Sequence, residues 1–265
     1  MINTKRLNFL KSVKFCILAF SLIIITFTFL DIPIFKFSKL FNESIFSFFK
    51  NFIDPLSDIF DPLNIILLCV FIIFLNLNMN KIIKNEIKLR TLESRTGFSS
   101  DKIASSFSLI NLICKHFIYS LAGAGILCNL LKYVVGVARP KYFFNESYDR
   151  INFFNFEHKV NSFPSGHTQA AFTLAILLII YTNRFTFLIL IFAILMGISR
   201  IFMSMHFPSD LLFGAYIGSL TPLLIFDWFF KDKINTIIRS NKIINNGIYL
   251  LVIYKDLILS LPISL

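Results

Sequence analysis

Three short stretches hold most of the residues that could do chemistry: Lys132–Pro140 (KYVVGVARP), Pro164–His167 (PSGH) and Ser199–Asp210 (SRIFMSMHFPSD). Lys132 and Arg139 are seven apart and share one face of a continuing helix, which Pro140 ends. By themselves they read as cations snorkelling from the end of a span. In the second stretch Ser165 is placed to cap a helix, and Gly166 allows another group close to the backbone. A helix start offers free N–H groups and a positive dipole end, both of which attract anions. His167 would stand in that first turn. In the third stretch Arg200 closes an apolar run, and His206 precedes Pro208, which suits a first helical turn. Asp210 follows His206 by four residues, close enough to accept from one ring nitrogen, fix the tautomer and raise the basicity of the other. Singly, each stretch also fits an ordinary capped helix or polar loop. Together they supply three cations, two histidines, a carboxylate and a helix start. Three cations with backbone donors suit a phosphate dianion. His206 with Asp210 suits attack on phosphorus, and His167 suits protonating the departing oxygen.

What must hold these residues is a membrane scaffold. Of 265 residues 56% are hydrophobic and 34 are Phe, far from a soluble composition. Six apolar runs approach spanning length: Phe15–Phe29, Leu63–Met79, His116–Val137, Ser165–Tyr181, Phe185–Met203 and Pro208–Phe226. Only helices or closed barrels cross lipid, and these lengths are helical. The expected fold is an all-α integral membrane protein, a six-helix bundle. The net charge of +11 sits in the gaps between the runs, not in a stripe, so no nucleic-acid partner is expected. Lys5, Arg6, Lys11 and Lys14, the basic residues of 81–105, and Lys231, Lys233, Arg239 and Lys242 fall on one side of a six-span model. The 30–62 connection instead carries Asp31, Glu43, Asp54, Asp58 and Asp61. Both termini are therefore expected in the cytoplasm, with all three polar stretches at the outer face. Ionisable groups at a bilayer default to function.

The remaining features are plainer. Cys16, Cys69, Cys114 and Cys128 lie in or beside apolar runs without metal-ligand spacing, so no metal or cofactor is expected. No small-residue cleavage site follows the first run, which reads as an uncleaved anchor. Residues 41–60 are Phe-rich but broken by charges and Pro55, and read as interfacial. The expected division is a cytoplasmic segment 1–14, a membrane domain 15–230 and a basic, interfacial tail 231–265. His116 and His158 read as structural.

The pattern Lys-x6-Arg-Pro, then Pro-Ser-Gly-His, then Ser-Arg-x5-His-x3-Asp resembles the signature of the type 2 phosphatidic acid phosphatase superfamily. Every position of it is present here, from Lys132 to Asp210. The hydropathy favours its bacterial membrane branch: lipid A phosphatase-like, phosphatidylglycerophosphatase-like or undecaprenyl-diphosphatase-like. The soluble haloperoxidase branch does not fit. The resemblance implies a metal-independent phosphatase in which His206 attacks phosphorus to form a phosphohistidine and Asp210 orients it. His167 protonates the leaving group and then assists water. Lys132, Arg139 and Arg200 bind phosphoryl oxygens, with Ser165 and Gly166 donating to them. The expected partners are a lipid phosphate and the surrounding lipids; oligomeric state is left open. Richness in Lys, Asn, Ile and Phe points to an AT-rich bacterial genome, hence an inner-membrane protein with a periplasmic site. Two other readings exist. A phosphotransferase would need an acceptor alcohol. A transporter would place its polar groups at mid-membrane, often in repeats, and this chain clusters them at one end.

Overall fold

A computed structural model describes residues 4–83, 86–97, 99–182 and 185–240. Regular structure among them is helical, apart from one isolated bridge between Val137 and Ile151. In chain order the helices are α1 (Val13–Ile25), α2 (Asp31–Ser38), α3 (Glu43–Phe48), α4 (Asp54–Ile59), α5 (Pro62–Ile83), α6 (Glu86–Thr96), α7 (Ser100–Val135), α8 (Pro140–Asn145), α9 (Gly166–Thr182), α10 (Thr186–Phe202), α11 (Pro208–Ile225) and α12 (Lys231–Ser240). Residues beyond Ser240, on which the expected interfacial tail falls, lie outside the described residues.

Among the described residues four helical stretches are long and apolar enough to cross a membrane: Val13–Ser38, Glu43–Leu77, Ser100–Val135 and Pro208–Arg239. The two others that the hydropathy marks, α9 and α10, are apolar but have 17 residues each. The expected third span lies within a longer helix. Helix α7 starts at Ser100 and runs 36 residues, roughly 54 Å at ~1.5 Å per residue, well beyond a ~30 Å hydrocarbon core. Its first turn carries Asp101 and Lys102, and Lys115 follows in its middle, so hydropathy ignores this part although helix propensity does not.

Helices α7, α9, α10 and α11 form the centre, with α5 against α7 and α1 against α11. The tightest crossing is α9 on α11, and small residues permit it. A Cβ at Gly214 would stand 2.6 Å from the Ser165 carbonyl, and one at Gly218 2.3 Å from the Gln169 carbonyl. This Gly-x3-Gly spacing is how membrane helices bring backbones together. At the opposite end of the bundle Ile176, Ile180, Leu223, Phe226 and Phe230 pack with Leu109. His116 is fully buried among them, bonded to Tyr181 (2.7 Å) and to the Pro222 carbonyl (2.9 Å), as befits a packing histidine.

Residues 41–60, expected to lie at the interface, dock on the bundle. Phe49 stacks on Phe202 with centroids 4.4 Å apart, and Ile53 is buried against α9 and α10. Of the charges that interrupt this stretch, Asp54 is satisfied internally by Arg200.

Candidate active site

Helices α7 and α10 end where α9 and α11 begin, so alternation of chain direction gathers all three polar stretches at one end of the bundle. Ser165 caps α9 as its type suggests: its Oγ accepts from the Thr168 N–H (3.4 Å) and hydroxyl (2.9 Å). Its own backbone N–H donates to the Asp210 carbonyl at 3.0 Å. That N–H is therefore committed, and Ser165 would serve an anion through its hydroxyl. The first N–H groups of α9 are those a helix start leaves free. Lys132 reaches over this start; a Cβ on Gly166 would meet its Nζ at 3.2 Å.

Gly136 ends α7 in the left-handed region (φ 59°), and a Cβ there would collide with the Asn152 carbonyl at 1.8 Å. This turn carries the chain from Lys132 to Arg139. The Arg139 backbone is pinned by the Lys159 carbonyl (2.9 Å), and its guanidinium lies beside the Met205 sulfur (3.8 Å).

His206 is 3% exposed. Its Nδ1 lies 2.8 Å from the Ser162 carbonyl and 3.5 Å from Asp210 Oδ2. A carbonyl only accepts, so Nδ1 must carry the proton and Nε2 is left with its lone pair. Sequence reasoning assigns this task to Asp210. The geometry gives the shorter bond to a backbone carbonyl that no residue pattern identifies. Asp210 stays beside the ring and also holds the surrounding turn, accepting from the Phe207 N–H (2.7 Å) and the Ser162 hydroxyl. Burial pushes His206 from 6.5 down to about 4, with Asp210 offsetting part of the effect. It is thus neutral at ordinary pH.

Three further features escape the sequence reading. Asp31, 1% exposed, pairs with Arg150 and accepts from the Ser209 N–H (2.8 Å) and hydroxyl (2.6 Å). Arg150 in turn lies 3.5 Å over the Phe207 ring, next in sequence to His206. Arg200 is 6% exposed and faces Asp54 and Ser57 of α4 (3.0 Å to Ser57 Oγ). An acid at the outer end of an apolar run is the only signal that marks Asp31 or Asp54 beforehand.

A cavity of about 290 Å³ lies between α4 and the start of α9, lined by Ser57, Phe60, Asp61, Lys132, Gly166 and His167 among others. His206, Arg139 and Arg200 are buried outside its lining. A second, apolar cavity of similar size shares Phe60, Ala171 and Met196 with it and continues between α4, α9 and α10. Phe153, Phe154 and Phe156 line neither and are exposed, which suits interfacial anchoring better than guiding of acyl chains. No cluster of three or more His, Cys, Asp or Glu able to hold a metal occurs among the described residues.

A helical membrane scaffold sets this signature at one end of a bundle, and residues 114–234 match the model of the PAP2 superfamily. The chain is similar to two proteins named lipid A 1-phosphatase. That of Rhizobium johnstonii is 32% identical over 143 residues, covering 50% of this chain and 57% of the relative. That of Rhizobium etli is 31% identical over 137 residues, covering 50% and 58%. It is also similar to the bacitracin transport permease protein BcrC of Bacillus licheniformis, 39% identical over 71 residues, 26% of this chain and 35% of that protein. The chain thus spans less than two thirds of the length of each of these relatives. No solved structure matches it.

Proposed function

We propose that the protein is a metal-independent phosphatase of membrane lipid phosphates or diphosphates, working through a phosphohistidine. Its substrate would be an envelope lipid such as lipid A, a phosphatidylglycerophosphate or undecaprenyl diphosphate. The observation that carries this is the pinned imidazole of His206, held by an acceptor-only carbonyl (2.8 Å) at the end of the bundle where Lys132 meets the α9 start. Nε2 attacks phosphorus, the bond to the leaving oxygen breaks, and His167 gives that oxygen its proton. Water then attacks the phosphohistidine, passes a proton to His167 and releases phosphate. Lys132, Arg139 and Arg200 oppose the charge that builds on the phosphoryl oxygens.

The adjoining apolar cavity supports a lipid over a soluble phosphate ester, since it would hold a hydrocarbon chain beside the head group. The basic residues of 81–105 and 231–242 favour a cytoplasmic side opposite the site. The site would then face the periplasm from a bacterial inner membrane with six crossings. The similarity to proteins named lipid A 1-phosphatase supports lipid A as the first substrate to try. Purified protein in detergent with EDTA should release phosphate from one member of a panel of these lipids, and His206→Ala should abolish release. Release that persists in His206→Ala would remove the assigned nucleophile.

A further inference from the structure

Arg200 belongs to the site signature, yet its guanidinium is already occupied. The Asp54 carboxylate and the Ser57 hydroxyl, both from α4, meet the same Nη2, while Nε donates to Ser199 Oγ at 3.2 Å. Asp54 lies 146 positions away and outside the matched superfamily segment. A guanidinium buried without a counter-charge is strongly unfavourable, so an empty phosphate site needs something in the phosphate's place. A carboxylate is the protein's own approximation to that group, because both offer an anionic oxygen to a guanidinium N–H.

The partners differ in freedom. The Arg200 side chain is 7% exposed, that of Asp54 31%. Asp54 can turn to water; Arg200 cannot. The same short segment also lines the polar cavity. Ser57, Phe60 and Asp61 share its wall with Lys132 and His167. Asp58 and Asp61 also act electrostatically on His167 from that wall.

We propose that Asp54 is a placeholder for the substrate's phosphoryl group: it neutralises Arg200 in the empty site and must be displaced for a phosphate to bind there. This rests on the reading of the site as a phosphate site. Displacement lowers the apparent affinity of every anion by the fraction of time that Arg200 is free. Asp54 therefore sets a threshold. Weakly held phosphodiester head groups, abundant in any bilayer, fall below it, and a terminal phosphate dianion clears it.

The test is binding of inorganic phosphate and of orthovanadate to the purified full chain, read by calorimetry without turnover. Asp54→Asn should bind both at least fivefold more tightly than wild type, and Asp54→Glu should stay within twofold of it. If Asp54→Asn does not fold, Ser57→Ala, which loosens the same contact, decides by a twofold tightening. Unchanged or weaker binding in the deciding variant overturns the proposal; weaker binding would make Asp54 a residue that orients Arg200. Absence of phosphate binding by wild type and variant alike overturns the placeholder together with the phosphate site. Tighter binding in a protein that hydrolyses none of the lipids would uphold the placeholder and sink only the lipid phosphatase reading.

Discussion

Replacing Gly214 by Ala tests whether the α9–α11 crossing sets the catalytic geometry. The new Cβ would lie 2.6 Å from the Ser165 carbonyl oxygen, where ordinary contact begins near 3.4 Å, and 3.3 Å from the Gln169 nitrogen. Both obstacles are backbone, so no side chain can swing aside. One helix must retreat by about 0.8 Å. That shift acts on the 3.0 Å bond between the Ser165 N–H and the Asp210 carbonyl, which ties the α9 start to the turn holding His206. A misplacement of ~1 Å can cost about 10²-fold in rate, and overpacking costs about 1–3 kcal/mol in stability. Gly214→Ala should therefore remain folded by thermal unfolding in detergent and lose on the order of 10²-fold in kcat. Gly123→Ala is the control. Its Cβ would find Ile225 at an ordinary 3.4 Å, and a glycine removed from a helix interior gains about 1 kcal/mol. Full activity in Gly214→Ala would refute the argument that backbone contact at this crossing positions the site.

The ring of His206 is pushed from 6.5 to about 4 by burial. Its NMR resonance, identified by its loss in His206→Ala, should titrate near 4, and a midpoint near 6.5 would mean a solvated imidazole. Because the folded state resists protonation, this contribution to stability is complete above pH 6.5 and is lost as pH falls towards 4. Asp31→Ala should destabilise by about 3–5 kcal/mol in denaturant titration, because it strands Arg150 and the two Ser209 donors at a buried site. A loss below about 1 kcal/mol, the scale of a surface ion pair, would show that the pair is solvated.

The chemistry was legible because it sits in short, chain-local patterns. Ser165 caps α9, Pro208 opens α11, and Lys132 and Arg139 flank a turn that needs the left-handed Gly136. Local rules reach that far. They do not reach the Ser162 carbonyl, since every residue owns one and only the fold selects which faces His206. Nor do they reach Asp54 and Asp31, which meet partners 146 and 119 positions away. Hydropathy is silent on the same contacts for a related reason. It scores transfer to lipid, whereas Lys102 belongs to the helix that begins at Ser100 and Asp54 is neutralised by Arg200.

Both of these carboxylates come directly after a π-helical turn. Thr26–Leu30 precedes Asp31, and Phe49–Ile53 precedes Asp54. A π turn inserts a residue into the helical register and re-aims the side chains beyond it, and such turns recur at functional sites. Each is set in a membrane-spanning stretch that precedes the matched segment 114–234. Each delivers a carboxylate to a different part of the site, Asp31 to the start of α11 and Asp54 to Arg200. The matched segment thus holds the groups proposed to react, while residues 26–62 hold the two acids that pair with their neighbours. Affinity for a phosphoryl group should accordingly move with this earlier segment, because a carboxylate that must yield lowers the affinity of every anion by one common factor.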